Sequence, residues 1–269
     1  MKNILLIGCG HMGSALLESW QKNKYYRFTI IDPVQYRKIK NKYKNNKINC
    51  LKDPSKIKNT KIFDIVVLAV KPQITNAVLN NYKSLNFKKT TVLVSIVAGK
   101  KINYLKKSLP NLYQFVRVMP NMPALIEEGV SCLVASNLSR INKKNLETLF
   151  SKVGIVLWLS KESKIDIVTA ISGSGPGYVF YIIDAIEKAA NNLGLNNNIN
   201  KKIILQTFIG SLKLLKKSNK SAHELAETIA IKGGTTEAGI NTMKNNNIHK
   251  IMKKTLISAY KRSLFLGKK

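Results

Sequence analysis

The sequence predicts an α/β domain built on a doubly wound parallel sheet, followed by an all-α domain. Three observations carry that prediction. An apolar run, Lys2 to Ile7, leads directly into Gly8-Cys9-Gly10-His11-Met12-Gly13. Strand-like apolar runs then alternate with helical stretches over residues 1–160. Over 161–269 the remaining apolar runs have helical length and spacing. Strand and helix in alternation argue a parallel sheet, and 269 residues suffice for two domains.

The first run is apolar throughout, as a strand buried on both faces is. The glycines that follow it, with a helical stretch from Ser14, make G-x-G-x-x-G in its strand–turn–helix context. Gly8 permits the tight turn, Gly10 lets a pyrophosphate approach, and Gly13 lets helix and strand pack closely. Cys9, His11 and Met12 complete this expected cofactor loop of a Rossmann-type domain. The next strand, Phe28 to Ile31, ends at Asp32. An acid there bonds the ribose of NAD, whereas Arg37 and Lys38 nearby can hold the extra phosphate of NADP. Asp32-Pro33 also reads as a helix start. Both readings hold together, and the choice between NADP and NAD stays open.

Strands at 62–70 and 91–97 end in the turns Ala69-Val70-Lys71-Pro72 and Ser95-Ile96-Val97-Ala98-Gly99. Ligands of open α/β sheets bind beyond the carboxyl ends of strands, so these turns should line the cofactor cleft. A strand at 113–118 runs into Met119-Pro120-Asn121-Met122-Pro123. Two prolines argue against a helix and for a rigid extended loop. Asn121 there offers both a donor and an acceptor; a plain connector is the alternative. Strands at 130–135 and 153–159, joined by a helix at 142–150, complete the domain.

The second half opens on Ser163-Lys164-Ile165-Asp166, a capping-box pattern, as is Ser221-Ala222-His223-Glu224. Capping is therefore favoured over chemistry for His223 and Glu224. Between the two boxes lies Ser172-Gly173-Ser174-Gly175-Pro176-Gly177, read as an anion-contacting loop on a helix that opens near Pro176. That helix runs to Leu193 and stops at Gly194, a C′ glycine. It and the stretch 203–215 are apolar on more than one face, which requires cover on both sides. An intertwined homodimer supplies that cover. Gly233-Gly234-Thr235-Thr236 before a helix reads as a second anion nest, with a simple N-cap as the alternative.

Composition narrows the function. The net charge of +31 invites a nucleic-acid reading. Yet the cations are nearly all lysine spread along the chain, with only five arginines and no nucleic-acid-binding motif. Specific nucleic-acid binding is not expected; weak association at low salt is. Cys9, Cys50 and Cys132 share no metal or redox spacing, and three histidines form no ligand pair, so no metal site is expected. No apolar run is long enough to span a bilayer, and the first residues lack a signal-peptide pattern, so a cytoplasmic protein is expected.

Several stretches together resemble pyrroline-5-carboxylate reductases: Gly8 to Gly13, Ala69 to Pro72, Ser95 to Gly99, Val118 to Pro123, Ser172 to Phe180 with Asp184, and Gly233 to Thr236 with Gly239. The resemblance implies reduction of 1-pyrroline-5-carboxylate to L-proline by NADPH or NADH. It also implies an interlocked homodimer, often assembled further, with each active site at a subunit boundary. Carried over by position, the Gly8–Gly13 loop and Ala69–Pro72 would hold the cofactor, joined by Asp32 on the strand-end reading above, with Ala98 beside the nicotinamide. Met119, Asn121, Ser174 and Gly175 would face the substrate. Gly233, Gly234 and Thr235 would bind its carboxylate through backbone N–H groups, and the Thr236 hydroxyl would bond the ring nitrogen. Two departures stand out. Ile231-Lys232 replaces the family's usual Ser-Pro or Thr-Pro, and Gly177 stands where alanine is common. Related imine or hydroxy-acid dehydrogenases and a non-catalytic nucleotide-binding relative are the alternatives. Hydroxy-acid chemistry needs an acid/base side chain at the nicotinamide, for which Lys71 is the only nearby candidate.

Overall fold

The computed structural model describes residues 1–43 and 47–267. The chain divides into two compact units: Met1–Ser174 joined by the chain from Ala259 onward, and Gly175–Ser258. The boundary expected at 160 lies just past the last strand. The first unit continues beyond it and takes back the end of the final helix.

The first unit holds one eight-stranded sheet in the order β3-β2-β1-β4-β5-β6-β7-β8. Its strands are β1 Lys2–Ile7, β2 Tyr26–Ile31, β3 Ile48–Leu51, β4 Ile65–Leu68, β5 Val92–Ser95, β6 Gln114–Met119, β7 Gly129–Ser136 and β8 Gly154–Trp158. The helices between them are α1 His11–Trp20, α2 Tyr36–Lys42, α3 Thr75–Asn80, α4 Ile102–Ser108 and α5 Arg140–Phe150. Sequence order turns outward from β1 in both directions, so the sheet is doubly wound as predicted. The exception to parallel pairing is β6 with β7, which run antiparallel. The reason is length. The link holds a 3-10 turn at Met122–Ile126 and no crossover helix, and a parallel return needs about a dozen residues or more. That turn also corrects the extended loop expected from the two prolines: Pro123 sits in its first turn, where a fixed φ is tolerated. Strand β3 was not anticipated.

Strand β1 shows why its run is apolar throughout. Ile4 and Leu6 join the core on one face with Leu16, Trp20 and Phe150. Leu5 and Ile7 join the other with Phe63, Leu93 and Leu105. Trp20 and Phe150 meet edge to face at 5.3 Å between centroids.

At the opposite end from the glycine loop, Asp64 ties β1 to β4. Its carboxylate accepts from the Asn3 backbone N at 2.9 Å and from Lys88 Nζ at 2.8 Å. Burial pushes this carboxyl up, but the Lys88 and Asn3 hydrogen bonds outweigh it and hold the pKa below the usual value. A lowered folded-state pKa adds stability above the unfolded value, about pH 4, and loses it as pH falls through the folded value. Asp64→Asn is therefore expected to cost about 1–3 kcal/mol at pH 7. Urea denaturation should show that gap closing as pH drops toward 3.

Helix α6, Lys164–Val168, follows β8 and passes into a π-turn at Thr169–Gly173. The capping box expected at Ser163 does not form. Asp166 instead accepts a buried 2.7 Å hydrogen bond from Ser263 Oγ, which fastens the end of the last helix to the first unit.

The second unit comprises α7 Gly175–Asn192, α8 Asn197–Lys217, α9 Ala222–Ile229, α10 Thr235–Asn245 and most of α11, Ile248–Leu266. Helix α7 opens where Pro176 predicted, and Gly194 follows its end with φ +92. Buried Asn200 bonds the Glu187 carbonyl and Asn191 Oδ1, pinning α8 to the end of α7. The box at Ser221 forms fully: Ser221 N donates to Glu224 and Glu224 N to Ser221 Oγ. His223 and Glu224 thus belong to a helix start. No residue of α7, α9 or α10 is buried. Phe180, Tyr181, Ile203 and Leu212 are all exposed. A single copy leaves an unusually large apolar surface in water.

Candidate active site

The glycine loop is shaped by contacts with the turn after β4. Gly8 has φ +88, and a Cβ on it would lie 2.6 Å from the Ala69 carbonyl oxygen. A Cβ on Gly13 would lie 2.6 Å from the Gly8 oxygen and 3.3 Å from Ala69 Cβ. Ala69 thus presses the loop from below. A Cβ on Gly10 would meet nothing within 4 Å. Gly10 is also the N-cap of α1 and supplies no side-chain cap, so the first-turn N–H groups point at open space. Gly8 and Gly13 take the tight turn and the close packing that their spacing predicts, and the open space at Gly10 leaves room for a pyrophosphate.

Of the cavities that border the loop, two bear on the predicted cofactor and substrate residues. One of about 210 Å³ is lined by Gly8, Asp32, Val34, Val70, Ile74 and Tyr82 among others, and is mainly apolar. It suits an adenine ring. The second, about 330 Å³, brings together His11, Met12, Ile96, Ala98, Met119 and Asn121 with Gly173. The resemblance implied Ala98 beside the nicotinamide and Met119 and Asn121 facing the substrate, and the structure brings all three to one cavity. Ile96 belongs to a turn expected to line the cofactor cleft and Gly173 to the expected ligand loop, whereas Leu125 was not anticipated. A Cβ on Gly173 would lie 2.5 Å from Met119 Cε, so the π-turn lies directly against the cavity wall.

Some predicted residues have duties inside the chain. Asn121 is buried; its Oδ1 accepts from Val130 N at 2.8 Å and its Nδ2 donates to Ser172 Oγ at 3.2 Å. Ser174 N donates to the Thr169 carbonyl at 2.9 Å and closes the π-turn. The segment read as an open anion loop is therefore largely helical, with a bend at Ser174 before α7 opens at Gly175. Asp32 accepts from Cys9, Val34 and Gln35 backbone N atoms. Lys71 is exposed, and its carbonyl accepts from Thr75. Burial, with Asp32 nearby, pushes the Cys9 thiol up to about 12, which makes it a packing residue.

In the second unit, Gly233 has φ +76 and α10 begins at Thr235 with Gly234 as N-cap. Two backbone donors expected for a carboxylate are spent internally. Gly233 N donates to Glu237 Oε2 at 2.7 Å, and Gly234 N to the Ile231 carbonyl at 3.0 Å. Glu237 reaches back as an N3 acid does in a capping box. Thr235 and Thr236 then supply the helix-start N–H groups, which have no intrahelical acceptor. Their hydroxyls differ from those of Thr207, Thr228, Thr242 and Thr255, each of which donates to the carbonyl four residues back. Among the described residues the Thr235 and Thr236 hydroxyls make no such bond, although Thr75 at the start of α3 does.

Comparison with known proteins agrees with this geometry. Residues 162–266 match the model for the pyrroline-5-carboxylate reductase dimerisation domain. Residues 3–99 match that for a coenzyme F420-dependent NADP oxidoreductase. A pyrroline-5-carboxylate reductase from Pseudomonas aeruginosa is 37% identical over 205 residues, 76% of this chain and 75% of that one. The one from Pasteurella multocida is 30% identical over 268 residues, 97% of this chain and 96% of that one. The chain belongs to the pyrroline-5-carboxylate reductase family. Solved structures of the family superimpose closely. The pyrroline carboxylate reductase from Plasmodium falciparum, with NADP bound, has a TM-score of 0.85 at 30% identity and covers 99% of this chain and 98% of its own. The pyrroline-5-carboxylate reductase from Coxiella burnetii has a TM-score of 0.87 at 28% identity, covering 100% and 99%. A prephenate dehydrogenase from A. aeolicus shares the fold alone, with a TM-score of 0.55 at 17% identity. The family's dimerisation domain makes the chain a homo-oligomer. No helix among the described residues is long and apolar enough to cross a membrane.

Proposed function

We propose that this chain reduces 1-pyrroline-5-carboxylate to L-proline, the last step of proline biosynthesis, with hydride from NAD(P)H. The observation that carries this reading is the nucleotide cradle of Gly8, Gly10 and Gly13, in a chain of this family that also holds Gly233–Thr236 at a helix start. The nicotinamide, when bound, supplies the hydride. The chain supplies placement. Gly8, Gly10 and Gly13 seat the pyrophosphate. Ala98 and Met119 shape the nicotinamide cavity. Asn121 braces the π-turn that forms its wall, a positioning role rather than a direct substrate contact. Ser174 and Gly175 carry the chain out of that turn. Thr235 and Thr236 hold the substrate carboxylate by their helix-start N–H groups, and Gly233 and Gly234 set the turn. The Thr236 hydroxyl bonds the ring nitrogen as it gains electron density. No side chain needs to act as a strong acid when the imine enters protonated: hydride adds to the carbon, the C=N π pair becomes the nitrogen lone pair, and the product is the neutral amine.

The working form is a homodimer, and the exposed apolar faces of α7 and α8 are its interface. Sedimentation should give a dimer or a multiple of it; a stable monomer with full activity would contradict this. The cysteines are all free, in keeping with a cytoplasmic setting. The direct test of function is to follow nicotinamide oxidation on adding pyrroline-5-carboxylate, and to identify proline as the product.

A further inference from the structure

We infer that the last turn of α11 is a positioning element for hydride transfer: it rests on both walls of the nicotinamide cavity and holds them at the spacing the reaction needs. The inference rests on the reductase reading and adds residues remote from the cofactor to its machinery. Helix α11 begins in the second unit, but the residues concerned all belong to the first.

One wall is the turn after β5. Ile96 and Ala98 line the cavity, and buried Ser95 shapes the turn by accepting from Val97 N at 3.3 Å. The turn ends at Gly99, with φ +78. A Cβ there would lie 2.8 Å from the Leu266 carbonyl oxygen and 3.1 Å from Gly267 N. In return, a Cβ on Gly267 would lie 3.2 Å from the Gly99 oxygen. Two segments distant in sequence thus meet backbone on backbone, with a glycine on each side. No flexible side chain lies between them to absorb a displacement, and packed interiors transmit strain. A shift of the helix end is felt at Gly99, one residue from Ala98.

The other wall is the π-turn, whose Gly173 lies against Met119. Helix α6 leads directly into that turn. Its Asp166 is held by Ser263, one turn before Gly267: Ser263 Oγ donates to Oδ1 at 2.7 Å, and both residues are buried. A hydroxyl donating to a carboxylate is among the stronger hydrogen bonds. The Ser263 carbonyl also accepts from Gly267 N at 3.1 Å, so the two points of contact are tied to each other. One helix turn therefore spans the two walls. Hydride transfer needs reacting atoms about 3–3.5 Å apart, and a misplacement of about 1 Å costs about 10² in rate.

Stopped-flow single turnovers test this. Protein loaded with reduced nicotinamide is mixed with pyrroline-5-carboxylate, and nicotinamide affinity is titrated separately. The full-length protein is compared with Gly267→Val, Ser263→Ala, Asp166→Asn and Asp64→Asn. Gly267 lies just past the helix and has no positive φ, so valine there adds no backbone strain, only a push on Gly99. Ser263→Ala cuts the tie to α6. Asp166→Asn keeps an oxygen to which Ser263 can donate. Asp64→Asn loses an ion pair at the far end of the sheet and touches neither wall. Expected is hydride transfer slowed about 10- to 100-fold in Gly267→Val and Ser263→Ala, with nicotinamide affinity within about three-fold. Asp166→Asn and Asp64→Asn should transfer hydride at the unaltered rate, although the latter is less stable. A normal rate in folded Gly267→Val overturns the inference, and so does a normal rate in folded Ser263→Ala. Slowing in Asp64→Asn as large as in those two also overturns it, because rate would then follow stability. Thermal unfolding shows which variants are folded; should Ser263→Ala not fold, Gly267→Val decides alone. These outcomes leave the reductase reading intact, whereas an unaltered protein that oxidises no nicotinamide overturns both.

Discussion

Replacing Thr236 by alanine is expected to lower kcat by about 10²–10³, the usual cost of one hydrogen bond to a developing charge. The argument starts from where the chain puts the hydroxyl. Thr236 lies in the first turn of α10 and its hydroxyl makes no hydrogen bond to a carbonyl among the described residues. Threonines deeper in these helices spend their hydroxyls on such carbonyls. Thr236 is half-buried, and on the proposed mechanism its hydroxyl meets the ligand. The methyl group and the backbone N–H survive in related variants, so carboxylate binding should persist. Thr236→Ser should therefore restore most of the rate and Thr236→Val should not. The effect belongs in kcat more than in KM, and nicotinamide affinity should not change. Normal turnover in Thr236→Ala would remove this residue from the mechanism.

Gly8→Ala should be the most damaging change in the cofactor half. A non-glycine residue at φ +88 costs about 1–2 kcal/mol. The new Cβ would also sit 2.6 Å from a backbone oxygen and 2.7 Å from Val70 Cγ1, and backbone cannot step aside as a flexible side chain can. Overpacking adds about 1–3 kcal/mol. The loop or the Ala69 turn must shift, and a shift near 1 Å costs about 10² in rate even with chemistry intact. Denaturation and nicotinamide titration should both report the damage. Gly10→Ala separates the two effects. Its Cβ meets no atom of the chain within 4 Å, so stability should hold while cofactor affinity falls. Equal loss of stability in both variants would contradict the parts given to these glycines.

What was legible in the sequence followed short-range rules. The strand–glycine–helix unit at Lys2–Trp20 shows its burial and its turn in consecutive residues. Ser221 and Glu224 announce their box three residues apart. Gly194 marks the end of α7. The unanticipated features depend on partners far along the chain. Asp166 looks like the third residue of a cap and is claimed by Ser263. Asn121 looks like a ligand for substrate, yet both ends of its amide are taken by Val130 and Ser172. Asp32 carries a familiar cofactor signal, and only its three backbone donors show what it does. Strand β3 is short and carries Asn49 and Cys50 amid lysine and asparagine, so no alternation reveals it.

The most direct measurement uses a reduced nicotinamide deuterated at the transferable position of C4. With pyrroline-5-carboxylate as substrate, one deuterium is expected on the proline ring carbon next to nitrogen and remote from the carboxylate. Mass spectrometry and NMR of the product locate it. Proline without deuterium at that carbon, or nicotinamide oxidised with no proline formed, would contradict direct hydride transfer to the imine.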